Sequence, residues 1–124
     1  AVILLVEDEV LIRLSLAERL RGAGFNVLEA ASPAEAQAIF LSGADIDLVF
    51  SDIHMPGADD GLKLAQWIES SFPGVPLVLA SGAVASLEAA RALCRNIAGL
   101  VDKPYDELAV VKRMREILPA RAAK

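Results

Sequence analysis

The chain has 124 residues, so we expect one domain that is large enough to bury a hydrophobic core. Its hydrophobic fraction of 55%, with only 5% aromatic residues, predicts a core of aliphatic side chains. The formal net charge of −5 argues against direct nucleic-acid binding, and no apolar run has the length of a membrane span. The single cysteine, Cys94, excludes a disulfide framework. No signal peptide is recognisable, so we expect a cytoplasmic protein.

Hydrophobic runs and helical patterns alternate along the whole chain. The first run, residues 2–6, is continuously apolar, as in a strand that is covered on both faces of a parallel sheet. Further strands are predicted at 26–30, 46–51, 75–80 and 98–101. Helices are predicted at 9–22, from 33 to near 43, at 60–71, at 84–95 and at about 105–118. Five strand–helix units predict a single α/β domain with a doubly wound, five-stranded parallel sheet and helices on both faces.

Helix boundaries and helix faces also follow from the pattern. Ser32 is predicted to cap the second helix, because Pro33 follows it and Glu35 lies three residues after it. Gly22 and Gly24 are expected to end the first helix. The apolar positions at helical spacing, which predict the core-facing sides, are Val10, Leu14, Ala17 and Leu20, then Ala36, Ile39 and Phe40, then Leu64, Trp67 and Ile68, and finally Leu108, Val111 and Leu118.

Polar side chains follow four of the five predicted strands. Glu7 and Asp8 come after the first strand, Asp52 after the third, Ser81 after the fourth and Lys103 after the fifth. Each has a simpler explanation by itself, such as a helix cap, a turn, an ordinary loop or a solvated charge. Sites in open α/β sheets form beyond the carboxyl ends of the strands. Four loops that place complementary groups at that edge therefore favour a functional site.

The chemistry of this set of side chains is specific. Neighbouring carboxylates raise each other's pKa unless a cation neutralises them, and Mg²⁺ prefers such oxygen ligands. A carboxylate is also a competent nucleophile toward phosphorus. Because the transferred phosphoryl group spreads its charge over three oxygens, a metal ion, an ammonium and a hydroxyl can each serve one of them. The set predicts phosphoryl transfer to a carboxylate.

Four motifs now identify a family resemblance. They are the acidic pair Glu7-Asp8, the stretch DIHMPG at 52–57 with Gly61, the segment ASG at 80–82, and DKP at 102–104. In this order, each at the end of its own strand, they resemble the motifs of the receiver domain of bacterial two-component response regulators, over essentially the whole chain. The resemblance implies a flavodoxin-like strand order 2-1-3-4-5. It also implies a receiver domain at 1–119, with a tail or the start of a linker at 120–124.

The resemblance implies that Asp52 is the phosphoacceptor and that Mg²⁺ is the cofactor. Asp8, Asp52 and the backbone carbonyl of His54 would bind the metal, with Glu7 nearby, directly or through water. Glu7 departs from the pattern, since many members carry Asp there. The His54 side chain flanks the phosphoryl group in receivers, but we expect it to be exposed to solvent rather than to act chemically.

Two further roles and one departure follow from the same resemblance. Lys103 would pair with the acceptor carboxylate and then with the phosphoryl group, through a Lys103–Pro104 peptide that is often cis. Ser81 would hydrogen-bond a phosphoryl oxygen and draw its loop inward. Leu100 stands where the family usually has a Tyr or Phe that rotates inward, so an aromatic-rotation switch is not favoured. Tyr105 occupies a position where many members have an aromatic packing residue.

The resemblance also implies partners. The phosphodonor would be a sensor histidine kinase or a phosphotransfer protein, and the signal would pass to a downstream protein or an output domain. The resemblance also allows a phosphorylation-dependent homodimer, and neither nucleic acid nor a membrane is expected as a direct partner. The chain would be a phosphoacceptor that assists its own phosphorylation and dephosphorylation rather than an enzyme.

Three alternative interpretations compete with this one. The first is the N-terminal receiver fragment of a DNA-binding transcriptional regulator whose output domain is absent. A haloacid dehalogenase phosphatase would need a second Asp where the chain has His54. A flavin- or dinucleotide-binding module would need a Gly- or hydroxyl-rich loop after the first strand, where the chain has Glu-Asp-Glu. The sequence disfavours the last two.

Overall fold

A computed structural model describes residues 1–54 and 61–118. Strands and helices alternate as predicted: β1 (Val2–Val6), α1 (Val10–Gly22), β2 (Asn26–Ala30), α2 (Pro33–Leu41), β3 (Leu48–Asp52), α3 (Gly61–Ser71), β4 (Leu77–Ser81), α4 (Val84–Leu93), β5 (Ile97–Asp102) and α5 (Glu107–Ile117). The predicted tail at 120–124 and the Met-Pro-Gly part of the third-strand motif lie outside the described residues. Within the described ranges, no helix has the length and apolar character that crossing a membrane requires.

The five strands form one parallel sheet in the order β2-β1-β3-β4-β5, which confirms the predicted fold class and strand order. The pairing register aligns the carboxyl ends of the central strands: Val6 lies opposite Ser51, and Asp52 opposite Ala80. Ser81 lies opposite Asp102 at the end of β5. The residues that follow β1, β3, β4 and β5 therefore emerge at one edge of the sheet.

The core has two layers, one on each face of the sheet. Side chains alternate along β1, so Leu4 packs in the layer with α2, α3 and α4, whereas Ile3 and Leu5 pack in the layer with α1 and α5. All three are completely buried. Burial on both faces explains why the strand is continuously apolar.

In α1, the prediction of the buried face was wrong at two positions. Val10 and Leu14 are 53% and 48% exposed, and the buried side chains are Leu16, Ala17 and Leu20. The sheet-facing stripe is rotated toward Arg13, whose guanidinium reaches the backbone oxygen of Glu7 at 3.0 Å. Sequence spacing permits either stripe, and docking against the sheet selects the one that includes Arg13.

In α5 a similar rotation applies, and the remaining faces are as predicted. Leu108 is 60% exposed, so its prediction as a core residue was wrong, whereas Leu118 is buried. The stripe that packs on the sheet consists of Val110, Met114 and Leu118, each four residues from the next. In the other helices, the buried predicted residues are Ala36, Phe40, Leu64 and Ile68, with Ile39 and Trp67 partly buried against them.

The start of α2 and the end of α1 confirm the predicted helix boundaries. The Glu35 backbone N–H donates to Ser32 Oγ at 3.1 Å, and the Glu35 carboxylate accepts from the Ala31 N–H at 3.0 Å. The chain leaves α1 through Gly24, whose φ of +101° is readily adopted only by glycine.

Candidate functional site

The ends of β1, β3 and β5 bring two carboxylates and an ammonium together. Lys103 Nζ lies 2.6 Å from Asp52 Oδ2 and 3.3 Å from Glu7 Oε1. Glu7 is 2% exposed and Asp52 is 5% exposed. Buried charges persist only when they are paired, so this ion pair holds two carboxylates at the edge of the sheet. The structure therefore brings Glu7, Asp52 and Lys103 together at the edge of the sheet that the sequence predicted.

Asp8 completes an acidic group with these carboxylates. Glu7, Asp8 and Asp52 each offer a carboxylate oxygen, and these oxygens lie within 4.8 Å of one another. When all are ionised, three carboxylates face one ammonium among the residues that the structure describes, so negative charge is in excess there. Oxygen ligands with excess negative charge fit a hard divalent cation such as Mg²⁺. The donor set therefore fits the predicted cofactor.

The electrostatics of the cluster have identifiable causes. Burial raises the pKa of Glu7 above its ordinary value, although the Glu9 N–H and the charge of Lys103 act in the opposite direction. Burial alone would lower the pKa of Lys103, but the hydrogen bond and charge of Asp52, together with Glu7, outweigh it and raise that pKa. Lys103 is thus held as an ammonium beside the two acids.

The second Asp52 oxygen is bound by the residue two positions later. The His54 backbone N–H donates to Asp52 Oδ1 at 3.1 Å. With Lys103 on Oδ2, both carboxylate oxygens have a partner and the group is oriented. The His54 side chain is exposed, as expected, but its ring Nε2 lies 2.8 Å from Ser86 Oγ on α4. Nothing in the sequence signalled this contact between residues 32 positions apart.

Ser81 ends β4 at the same edge, but its hydroxyl is engaged elsewhere. The side chain is buried, and Ser81 Oγ accepts a hydrogen bond from the Ala83 N–H at 3.0 Å. Its backbone oxygen accepts from the Lys103 N–H at 3.0 Å. The structure therefore places Ser81 beside the lysine loop and holds its hydroxyl within its own turn.

The residues after β5 support the position of the lysine. The Lys103–Pro104 peptide is cis, as the resemblance implied. The ring of Tyr105 packs edge-on against Phe50, with ring centroids 5.7 Å apart, which confirms its packing position. Leu100 is partly buried and packs against the core layer that contains α4. This region thus offers aliphatic packing at the position where the resemblance would have placed an aromatic residue.

Comparison with known proteins agrees with this geometry. A family model described as the response regulator receiver domain matches residues 3–115. The chain is 32% identical over 124 residues to the sensor kinase CckA of Brucella abortus. The matched region covers 95% of the chain and 12% of that protein. It is 30% identical over 120 residues to the transcriptional regulatory protein GlrR of Escherichia coli, covering 97% of the chain and 27% of that relative. The chain thus spans less than a third of either protein.

A solved structure extends the comparison to three dimensions. The response regulator protein TrrA of Thermotoga maritima, in complex with Mg²⁺-BeF, superposes with a TM-score of 0.81 at 27% identity. The match covers 94% of this chain and 98% of that chain. The similarity therefore extends over nearly the whole of both chains.

Proposed function

Because the chain belongs to the response regulator receiver domain family, it is a phosphorelay signalling module, and we propose that Asp52 accepts its phosphoryl group. The observation that carries this assignment is the 2.6 Å contact between Lys103 Nζ and Asp52 Oδ2. It orients one nearly buried carboxylate at the end of a central strand. Attack by this carboxylate on a phosphohistidine forms an acyl phosphate, breaks the P–N bond and returns the imidazole to the donor.

The residues around Asp52 suit the charge that arrives with the phosphoryl group. Glu7, Asp8, Asp52 and the backbone carbonyl of His54 are proposed to hold Mg²⁺, which would neutralise phosphoryl charge when bound. The excess of carboxylates over ammonium groups supports this proposal. The solved structure of TrrA from Thermotoga maritima is a complex with Mg²⁺-BeF.

Lys103 and Ser81 are the proposed partners of the phosphoryl oxygens. The Lys103 ammonium already contacts Asp52 and Glu7, so it can move from the carboxylate to an incoming phosphoryl oxygen over a short distance. The Ser81 hydroxyl would donate a hydrogen bond to a phosphoryl oxygen once its bond with the Ala83 N–H is broken. Charge-assisted hydrogen bonds of this kind contribute roughly 1.5–3 kcal/mol each. These proposed contacts of Lys103 and Ser81 with the phosphoryl oxygens suit a chain that assists its own phosphorylation and dephosphorylation, rather than an enzyme with a separate substrate.

The proposed partners are proteins. A sensor histidine kinase or phosphotransfer protein would supply the phosphoryl group, and an output domain or downstream protein would receive the signal. We propose 1–119 as the receiver unit. The relative named a transcriptional regulatory protein keeps open the alternative that this unit serves a DNA-binding regulator.

Phosphoryl uptake tests the assignment of Asp52. The chain is incubated with Mg²⁺ and a small phosphodonor, and its intact mass is followed with time. We expect one added phosphoryl group in the native chain, none when Mg²⁺ is chelated and none in Asp52→Asn. Asp45→Asn is the matched control, because Asp45 is exposed and lies before β3 rather than at its end. Uptake by Asp52→Asn at the native rate would contradict the assignment.

A further inference from the structure

One residue connects the carboxylate of Asp52 with helix α4. The His54 backbone N–H donates to Asp52 Oδ1 at 3.1 Å, while its ring Nε2 lies 2.8 Å from Ser86 Oγ. The second distance is that of a good hydrogen bond, with the ring as donor or acceptor according to its tautomer. The His54 side chain therefore joins the loop after β3 to the first turn of α4.

Helix α4 has few other polar attachments at this end. Its N-cap residue, Ala83, has no side chain that can accept from the first-turn N–H groups. Among the α4 side chains that the structure describes, Ser86 is the one with a hydrogen bond to another element. At the opposite end, the Glu69 carboxylate on α3 accepts from the Arg95 and Asn96 N–H groups. The contact between His54 and Ser86 therefore anchors the start of α4.

The position of Ser81 relates this anchor to the chemistry at Asp52. Ala80 pairs with Asp52 across the sheet, so Ser81 is the nearest hydroxyl that β4 offers at the site. Its Oγ is bound by the Ala83 N–H, at the residue from which α4 starts. A Ser81 hydroxyl that turns toward a group on Asp52 must give up this bond. The start of α4 is then released unless His54 retains it.

We propose that the hydrogen bond between His54 and Ser86 is a latch that holds α4 in its resting packing, and that His54 is a positioning residue of the switch. The latch is closed in the arrangement in which the Asp52 carboxylate pairs directly with Lys103. It regulates the proposed phosphoacceptor site and rests on that function.

Beryllofluoride, which mimics the phosphoryl group on an aspartate, tests the latch by titration at saturating Mg²⁺. Amide chemical shifts of α4 report the midpoint. Removing a resting-state hydrogen bond raises the population of the competent packing, so Ser86→Ala should lower the midpoint by roughly 2- to 12-fold. His54→Ala keeps the backbone N–H and should act equally. The double variant should give no further change, because both substitutions break one bond.

Two additional measurements separate a latch from ordinary structural support. In the protein without beryllofluoride, amide exchange in α4 should be faster in Ser86→Ala than in the native chain. A merely structural contact would speed this exchange and leave the beryllofluoride midpoint unchanged. Ser70→Ala, an exposed serine on α3, is the matched control and should change neither measurement. His54→Gln retains a hydrogen-bonding group and should restore part of the native midpoint.

The outcomes distinguish this inference from the function on which it rests. A native midpoint in Ser86→Ala, or effects of His54→Ala and Ser86→Ala that add in the double variant, would overturn the latch alone. Failure of the native chain to bind beryllofluoride with Mg²⁺ would overturn the phosphoacceptor assignment, and the latch with it.

Discussion

At the scale of single residues, Tyr105 shows how burial sets protonation. Its ring packs on Phe50, and its hydroxyl is buried with no hydrogen-bond partner among the described residues. Burial, followed by the negative charge of Glu7, raises the pKa of Tyr105 to about 12. A phenol in an unfolded chain titrates near pH 10. The unfolded chain therefore loses this proton first, and stability falls as pH rises from about 10 to about 12.

Tyr105→Phe should remove this pH dependence. Near pH 7, the free energy of unfolding should differ from the native value by less than about 1 kcal/mol, because the lost hydroxyl has no partner. Between about pH 9 and pH 11.5, the native chain should lose more stability than the variant. Urea unfolding at several pH values measures the difference. Parallel curves for the two proteins would contradict the prediction.

At the scale of elements, α3 starts against β3, the strand that ends at Asp52. The Gly61 N–H donates to the Ile53 oxygen at 2.7 Å. A Cβ at Gly61 would lie 1.9 Å from the backbone oxygen of Asp52 and 2.7 Å from the Cα of Ile53. Real Cβ atoms do not approach backbone so closely, so a side chain here requires the strand end or the helix to move. Glycine is needed for space rather than for an unusual φ.

Gly61→Ala should therefore destabilise the fold, although alanine is the better helix former. We expect a loss of roughly 1–3 kcal/mol in the free energy of unfolding from overpacking, together with slower phosphoryl uptake as Asp52 is displaced. Gly22→Ala in α1 is the matched control, because a Cβ there meets nothing within 4 Å. Denaturant titration of both variants checks this. Equal effects of the two substitutions would show that steric contact at Gly61 is unimportant.

At the scale of the whole molecule, the sheet places several negatively charged side chains close together at one edge. The chain places Glu7, Asp8 and Asp52 at one edge with Lys103 as the ammonium that contacts Glu7 and Asp52. Like charges at this separation oppose folding, and a cation that binds only the folded chain reverses this effect. Stability and metal binding are therefore expected to be linked.

Mg²⁺ should raise the free energy of unfolding by about 1.4 kcal/mol at a concentration ten times its Kd. Asp8→Asn should reduce this gain, because it removes one carboxylate of the cluster. Asp45→Asn should retain the gain. Since burial raises the pKa of Glu7, the gain should already weaken at mildly acidic pH. Thermal or urea unfolding with and without Mg²⁺ measures it, and an equal gain in Asp8→Asn would contradict the proposed metal site.

Local pattern was sufficient for the elements and for the edge at which the site lies. Apolar run length and helical spacing depend on neighbouring residues, so the strands, the helices and the cap at Ser32 could be predicted from the sequence. The polar residues after the strands could be assigned to one edge, because parallel strands end on the same side. The sequence by itself thus determined the fold class and the set of polar residues that lie at the same edge as Asp52.

Only the tertiary structure decided how helices are rotated and which side chains meet. Val10, Leu14 and Leu108 are apolar and regularly spaced, yet they are exposed because the sheet accepts only one stripe of each helix. The Lys103–Glu7 pair joins residues 96 positions apart, and the His54–Ser86 bond joins the loop after β3 to helix α4. Such contacts depend on the docking of distant segments to within a fraction of an ångström, which no local pattern encodes.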